Sequence, residues 1–140
     1  MAFTELLYEE SYEKSYSNDN EDYNEYINNT DKVVYFFYHN NECVGQVRLR
    51  KNWNKYAFIE GIHVSKHVRG QGIGSALINE STVWAKQNNL YGLMLETQDN
   101  NLLACKFYLK CGFEIGALDT MLYANFHSND EKAIFWYLKF

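Results

Sequence analysis

A glycine-rich junction between a strand pattern and a helix pattern constrains this chain more than any other feature. Tyr56 to Ser65 reads as a strand, Arg69 to Gly74 reads Arg-Gly-Gln-Gly-Ile-Gly, and apolar residues then recur at helical spacing from Ile73. The first N–H groups of a helix lack carbonyl partners, and glycines let a ligand approach the backbone closely. The junction therefore predicts a phosphate-binding loop at a helix N-terminus.

The bulk properties are those of one soluble domain. The chain has 140 residues, of which 46% are hydrophobic and 22% charged, with no internal repeat, so we predict a single domain over residues 1–140. No apolar run reaches the roughly 18–20 residues of a membrane span, and the first residues lack a signal-peptide pattern. We expect a cytoplasmic protein without a membrane partner, with Cys43, Cys105 and Cys111 as reduced thiols and no metal site.

Charge is distributed unevenly along the chain. Residues 5–31 hold nine acidic side chains and one lysine, whereas the whole chain has a net charge of −5. An acidic N-terminal third argues against a nucleic-acid partner. It would suit a cationic small molecule, although a solvated acidic surface is the simpler explanation of the charge alone.

The order of the patterns predicts a mixed α/β (α+β) fold. After a weak strand signal at residues 3–8, the predicted strands cover residues 32–38, 43–50, 56–65, 91–97, 113–118 and 133–140, and the predicted helices cover 9–17, 19–29, 73–88 and 102–110. Turn residues at 39–42 predict a hairpin, and Gly45 a bulge. Asn100 or Asn101 would cap the last helix, and Gly112 would end it. A strand, a crossover helix and a further strand predict one parallel pair.

The helix after the junction has a broad apolar pattern. Ala76, Leu77, Glu80, Val83 and Trp84 can lie along one face at helical spacing. We expect that face to pack on the sheet.

Three known phosphate-loop patterns can be compared with the junction. No Gly-x-x-x-x-Gly-Lys-Ser/Thr string exists, which excludes a P-loop. The dinucleotide pattern Gly-x-Gly-x-x-Gly fails because Ser75 stands at the third glycine position and three strands come first. The pattern Arg/Gln-x-x-Gly-x-Gly/Ala is satisfied by Arg69 to Gly74.

That third pattern, after a strand ending Ile62-His63-Val64, resembles the coenzyme A site of the GCN5-related N-acetyltransferases (GNAT). The second helix adds Asn-x-x-Ala-x-x-Phe-Tyr over residues 101–108, followed by Gly112-Phe113, which is similar to the C-terminal signature of that family. The resemblance covers about residues 32–140. It implies a mixed sheet of six to seven strands, helices on both faces, and a splay between the fourth and fifth strands.

Three further stretches look like the streptothricin acetyltransferase branch of the family: residues 50–54, 93–101 and 120–126. The resemblance implies a shortened first strand here, since that branch has a longer N-terminal segment. A homodimer is the expected assembly, and the sequence leaves open whether a partner chain completes the strand.

The resemblance implies acetyl-CoA as co-substrate. The loop backbone would bind the pyrophosphate, the strand edge would bind the pantetheine arm, and Asn101 would either bond the pantetheine or cap its helix. The expected cofactor-binding residues are Ile62, His63, Val64, Arg69, Gly70, Gln71, Gly72, Ile73, Gly74, Ser75, Asn101 and Tyr108.

The resemblance also implies catalytic and acceptor residues. Tyr108 is the expected general acid for the leaving thiolate, and Glu60 the expected base, acting directly, through a water, or only by binding the cation. Tyr26, Glu60, Glu96 and Asp119 are the expected acceptor-binding residues. His63 and His67 are bases by residue type, but we expect His63 to lie on the opposite face of its strand from Glu60.

The implied function is transfer of acetyl from acetyl-CoA to a primary amine of a small cationic substrate. The favoured acceptor is the β-lysine amine of streptothricin, with antibiotic resistance as the result. Two alternatives stay open: a polyamine, aminoglycoside or protein amine as acceptor, or a non-catalytic coenzyme A-binding module with sensing or partner roles.

Overall fold

A computed structural model describes residues 2–4, 23–126 and 131–140. The predicted helix over residues 9–17 lies outside these ranges. The strands are β1 (Ala2–Thr4), β2 (Lys32–His39), β3 (Glu42–Lys51), β4 (Ala57–Val64), β5 (Gly92–Gln98), β6 (Glu114–Asp119) and β7 (Ala133–Lys139), and the helices are α1 (Ile73–Gln87) and α2 (Leu102–Lys110). Short 3₁₀ turns cover Asn24–Tyr26 and Lys66–Val68. None of the described helices is long and apolar enough to cross a membrane.

The seven strands form one mixed sheet in the order β1-β2-β3-β4-β5-β7-β6. All neighbours are antiparallel except β4 and β5, which confirms the predicted parallel pair. That pair is short: only Ala57 and Phe58 of β4 have partners in β5. Beyond Phe58, therefore, β4 and β5 do not pair within the described residues, which confirms the predicted splay.

The β2–β3 hairpin follows from its turn residues. Asn40 and Asn41 both have positive φ angles, 53° and 64°, as a two-residue turn between twisted strands requires. The β2–β3 register shifts beside Gly45, because Phe37 pairs with Gly45 and Tyr38 pairs with Cys43. This shift confirms the predicted bulge.

A second bulge occurs in β4 at Glu60. Arg48 of β3 pairs with Gly61 and Leu49 pairs with Ile59, so Glu60 has no register partner. The extra residue reverses the alternation of faces. Ile59 and Ile62 both join the core on the helix side of the sheet, although they are three positions apart in the sequence. The bulge re-aims the strand directly before the glycine loop.

Alternation along β2 defines two cores. Val33, Tyr35 and Phe37 belong to a large cluster that includes residues of both α-helices. Val34 and Phe36 belong to a smaller cluster on the opposite face, with Tyr23. Among the described residues, both α-helices contribute to the first cluster, and the Asn24–Tyr26 turn covers the second.

Two local predictions were wrong. The helix predicted to reach Asn29 is, in its described part, only the turn Asn24–Tyr26, because Ile27 is extended and Asn28 has a φ of 57°. Val83 of α1 is 46% exposed rather than packed on the sheet. Ser81 is fully buried instead, and its hydroxyl donates to the Leu77 carbonyl at 2.8 Å, which satisfies the polar group inside the core.

Candidate active site

The glycine loop presents free backbone donors, as its sequence predicted. The first backbone hydrogen bond of α1 runs from the N–H of Ala76 to the carbonyl of Gly72 at 3.0 Å. The N–H groups of Ile73, Gly74 and Ser75 therefore have no carbonyl partner within the helix. Among the described residues, no side chain caps this end of α1. The positive end of the helix dipole and these donors meet at one place, which suits an anionic ligand.

The three loop glycines have two different physical roles. Gly70 and Gly72 both have a φ of +83°, a left-handed conformation that glycine adopts without strain. Gly74 lies inside α1, and a Cβ there would come within 2.9 Å of the Phe107 ring on α2. The first two glycines shape the loop, and the third lets the two helices approach closely.

A cavity of about 480 Å³ extends from the β4 edge over the loop to α2. We call it the cofactor cavity. Its lining includes all the predicted cofactor-binding residues except Gln71, which is exposed outside it. The lining residues that sequence reasoning did not assign are Leu103, Ala104, Phe107 and Lys110. Ala104 and Phe107 belong to the Asn-x-x-Ala-x-x-Phe-Tyr string, so their spacing from Tyr108 was the available signal.

The cofactor cavity is basic. Arg69 and Lys110 line it, and no aspartate or glutamate does so among the described residues. The Arg69 side chain also donates through Nε to the carbonyl of Val64 at 3.1 Å. That bond ties the loop to the end of β4, so Arg69 both positions the loop and contributes positive charge.

Tyr108 reaches this cavity from α2. Its ring packs against Phe107, Phe113 and Trp136 at centroid distances of 5.2, 5.4 and 6.2 Å, and the residue is 5% exposed. Within the part of the chain that the structure describes, its hydroxyl makes no hydrogen bond. Burial raises the pKa of the Tyr108 phenol above its ordinary value, so the hydroxyl stays protonated at neutral pH.

Asn101 caps α2 and lines the cofactor cavity as well. Its side-chain oxygen accepts a hydrogen bond from the N–H of Ala104 at 3.2 Å. Of the two capping residues that the sequence offered, the structure uses Asn101. The amide nitrogen leaves a donor for a ligand.

A second cavity, of about 350 Å³, opens where β4 and β5 diverge. We call it the acceptor cavity. It shares Ile62, Asn101, Ala104 and Tyr108 with the cofactor cavity, and it adds Ile59, Glu60, Gly61, Leu95, Glu96, Thr97, Gln98 and Tyr123. The splay therefore joins the two cavities through the sheet, with Tyr108 at their junction.

Glu60 lines the acceptor cavity from the β4 bulge, and it is closely surrounded. Oε1 accepts a hydrogen bond from the Tyr26 hydroxyl at 2.5 Å, and Oε2 lies 3.1 Å from Nε of Arg50 and 3.9 Å from Nζ of Lys32. Burial, and then the hydrogen bond to Glu60, raise the pKa of the Tyr26 phenol. These contacts hold the carboxylate in one orientation.

Glu96 lines the same cavity from β5. Its Oε2 accepts a hydrogen bond from the Tyr123 hydroxyl at 2.5 Å. Burial, together with the bond to Glu96 and its charge, raises the pKa of Tyr123 to about 12. Sequence reasoning missed Tyr123, because residues 120–126 follow no period that would single out one side chain.

The remaining predicted site residues lie apart from the junction. Tyr26 reaches Glu60 from the opposite core and lines neither cavity. Asp119 also lies outside both, where its Oδ1 accepts the N–H groups of Met121 and Leu122 at 2.9 and 3.0 Å. His67 is exposed, and its Nε2 lies 3.6 Å from Oε1 of Glu42.

The predicted orientation of His63 was wrong. His63 pairs with Gln46 of β3, and Gln46 accepts a hydrogen bond from Tyr23 in the smaller core. His63 therefore shares a sheet face with Glu60. The bulge at Glu60 causes this, because it removes one step of the alternation on which the prediction relied.

The two cavities together define an acyltransferase architecture. A basic, backbone-lined cavity suits a phosphorylated thioester donor, an acidic cavity suits a cationic amine, and a buried phenol lies at their junction. The chain belongs to the acetyltransferase (GNAT) family, whose model matches residues 1–113, and it is an N-acetyltransferase.

Individual relatives agree with the family. The chain is 48% identical to streptothricin acetyltransferase A of Bacillus subtilis (strain 168) over 139 residues, which cover 99% of this chain and 80% of that protein. It is 37% identical to a streptothricin acetyltransferase of Escherichia coli over 127 residues, 90% of this chain and 70% of the other.

A solved structure is similar as well. A Bacillus anthracis str. Ames protein, assigned as a streptothricin acetyltransferase and crystallised with acetyl coenzyme A, superposes with a TM-score of 0.82 at 50% identity. The match covers 86% of this chain and 69% of the other.

Proposed function

We propose that this protein transfers acetyl from acetyl-CoA to the β-lysine amine of streptothricin, which removes a positive charge from the antibiotic and confers resistance. The observation that carries the proposal is the pair of cavities, basic and acidic, that meet at Tyr108. The streptothricin acetyltransferases, 48% and 37% identical to this chain, support the acceptor.

The described residues fit acetyl-CoA. The N–H groups of Ile73, Gly74 and Ser75, with Arg69 and Lys110, form a cradle for phosphate at the start of α1. The edge of β4 beyond Phe58, where it no longer pairs with β5, offers backbone groups to an extended amide arm. Bound acetyl-CoA supplies the acetyl group as an activated thioester.

Tyr108 is the proposed general acid. Its ring is held by aromatic neighbours and the residue lines both cavities, so we expect the C–S bond to break beside it. Its raised pKa keeps the proton on the phenol until a thiolate forms. The same apolar surroundings also raise the basicity of that thiolate, so proton transfer becomes favourable as charge develops.

Glu60 is the proposed acceptor of the amine proton, acting through a water. Arg50 and Tyr26 already engage its two oxygens, so a direct contact with the ammonium group competes with existing partners. Each carboxylate oxygen retains acceptor capacity for a bridging water. Through that water the ammonium nitrogen loses one proton to Glu60, and the resulting amine attacks the thioester carbon and forms the C–N bond as the C–S bond breaks. Tyr108 protonates the leaving sulfur, and the second proton lost by the nitrogen returns to the Tyr108 phenolate.

An assay of thiol release from acetyl-CoA tests the proposal. We expect rapid release with streptothricin, slower release with spermidine, an aminoglycoside or a lysine peptide, and an acetylated β-lysine by mass spectrometry. Faster turnover of one of the other amines would reassign the acceptor. Coenzyme A binding without release for any amine would favour a non-catalytic module instead.

Expression in a sensitive bacterium extends the test to resistance. The chain should raise the streptothricin concentration that inhibits growth, and the Tyr108→Phe variant should raise it far less. Equal protection by both would separate resistance from acetyl transfer. Cytoplasmic location and the homodimer remain predictions.

A further inference from the structure

The acceptor cavity contains two carboxylates whose surroundings differ. Glu60 and Glu96 line it, and its described lining includes no lysine, arginine or histidine. A cationic acceptor that leaves water for such a cavity needs an ionic partner there. Which carboxylate can provide it depends on how much of each negative charge the protein already neutralises.

The charge of Glu60 is already compensated. Arg50 lies 3.1 Å and Lys32 3.9 Å from its Oε2, and the Tyr26 hydroxyl occupies Oε1. An ammonium group arriving at Glu60 would meet two resident cations. Like-charge repulsion then offsets much of the attraction.

The charge of Glu96 is not compensated within the described residues. Its side chain has the Tyr123 hydroxyl as partner, and no cation in the described ranges lies within 4.0 Å of it. Tyr123, with a pKa of about 12, remains a neutral donor at physiological pH. The phenol orients the carboxylate without cancelling its charge, and Oε1 is left for another donor.

Two further features fix the positions of Glu96 and of its partner Tyr123. Leu95 of β5 belongs to the core on the helix side of the sheet, as Tyr108 does. Alternation along β5 therefore puts Glu96 on the opposite face. The turn that carries Tyr123 begins at Asp119, whose carboxylate accepts two of its backbone N–H groups, so the Tyr123 position is built into the fold.

We propose that Glu96, oriented by Tyr123, binds a second ammonium group of the acceptor, one that is not acetylated. The enzyme would then select amines that carry at least two cationic groups over monoamines of the same length. This inference rests on the proposed function and adds the acceptor class and its binding residues. Asp119 is the positioning residue for Tyr123.

The test compares variants with streptothricin as acceptor. Glu96→Gln should raise the KM for streptothricin by about 10–100-fold, the scale of a lost charge-assisted hydrogen bond, with kcat within about threefold of wild type. Glu96→Asp, which keeps the charge, should recover part of the loss. Tyr123→Phe should raise KM only a few-fold, because the charge remains.

A matched pair of amines tests the acceptor class directly. As competitors of streptothricin, 1,5-diaminopentane should inhibit the wild type at least about tenfold better than 1-aminopentane, and Glu96→Gln should lose this preference. Glu114→Gln is the matched carboxylate control, because Glu114 is exposed on β6 outside both cavities. It should behave as wild type.

The outcomes separate the two proposals. If the wild type releases no coenzyme A with streptothricin, the proposed function fails. If it does, but Glu96→Gln and Tyr123→Phe both keep the wild-type KM, or if the diamine inhibits no better than the monoamine, only the second-ammonium site is overturned. A thermal melt confirms that each variant is folded.

Discussion

The cofactor cavity and the acceptor cavity meet at Tyr108, yet they are built in different ways. The cofactor cavity is basic and uses backbone donors from one contiguous stretch, residues 69–75. The acceptor cavity is acidic and uses single side chains from β4, β5 and the turn after β6. A backbone-built site depends on local conformation, whereas a side-chain-built site depends on the whole topology. The two sites should therefore respond differently to substitution.

The largest effect is expected at the loop. Gly72→Asp should raise the Kd for acetyl-CoA by about 10³-fold or more, because it places a carboxylate on a left-handed residue beside the phosphate site. At about 5 Å, one like charge costs about 3 kcal/mol at an effective dielectric of 20, and the φ of +83° adds strain. Isothermal titration calorimetry measures the change.

Gly72→Asn is the matched neutral control. Asparagine tolerates the left-handed conformation better than most residues, so it should bind acetyl-CoA more tightly than the aspartate variant. Nearly equal Kd values for acetyl-CoA in Gly72→Asp and wild type would show that the loop does not bind the phosphates.

The second-largest effect is expected at Tyr108, where the two cavities meet. Tyr108→Phe should lower kcat by roughly 10–10³-fold with little change in the Kd for acetyl-CoA, as the loss of a general acid requires. Burial raises the pKa of this phenol, so Tyr108 stays protonated below the ordinary tyrosine pKa of about 10. The ratio of the wild-type kcat to the Tyr108→Phe kcat should therefore stay constant from about pH 7 to pH 9. Steady-state kinetics across pH measure it; a ratio that collapses towards one as pH rises would indicate an acid with a lowered pKa.

A smaller change is expected at the compensated carboxylate. Glu60→Gln should lower kcat by about tenfold while the KM for streptothricin stays within a few-fold, because Arg50 already neutralises the charge that would attract the acceptor. Glu96→Gln should show the reverse split. A large KM increase in Glu60→Gln, with an unchanged kcat, would exchange the roles of the two carboxylates.

The smallest effect is expected at the helix contact. In Gly74→Ala the new Cβ would lie 2.9 Å from the Phe107 ring, so the ring must move. This should lower the free energy of unfolding by about 1–2 kcal/mol. The Kd for acetyl-CoA should change by less than about tenfold. Urea unfolding and calorimetry measure the two quantities. Unchanged stability would show that α1 and α2 do not constrain each other at this point.

Much of the fold was predictable because it is encoded locally. Adjacent β-branched and aromatic residues indicated β2, and the Asn40-Asn41 pair indicated its turn. The Asn101 cap and Gly112, whose φ is +97°, marked the two ends of α2. The family and the enzyme class were predicted from strings of this kind, and both are confirmed.

The errors arose where one extra residue changes the strand register, or where packing against neighbouring elements decides whether a side chain is buried. A bulge adds a single residue to β4, and no property of Glu60 in the sequence indicates it. His63 was therefore predicted wrongly to lie on the opposite face of the strand from Glu60. Val83 fits the helical period but lies at its exposed margin. At such margins packing decides burial, because a helical period defines a broad apolar face and not its exact edge.

Sequence alone predicted a loop with exposed backbone donors, because glycines and a helix start expose N–H groups wherever they occur. It also determined the spacing that brings Tyr108 to the coenzyme side. Only the tertiary structure decided which of the two carboxylates in the acceptor cavity has its negative charge compensated by neighbouring cations. Glu60 gains Arg50 from β3 and Tyr26 from the opposite core, while Glu96 gains a neutral phenol from a turn 27 residues away in sequence. A charge is compensated by whatever lies within a few ångströms of it, and those neighbours come from folding.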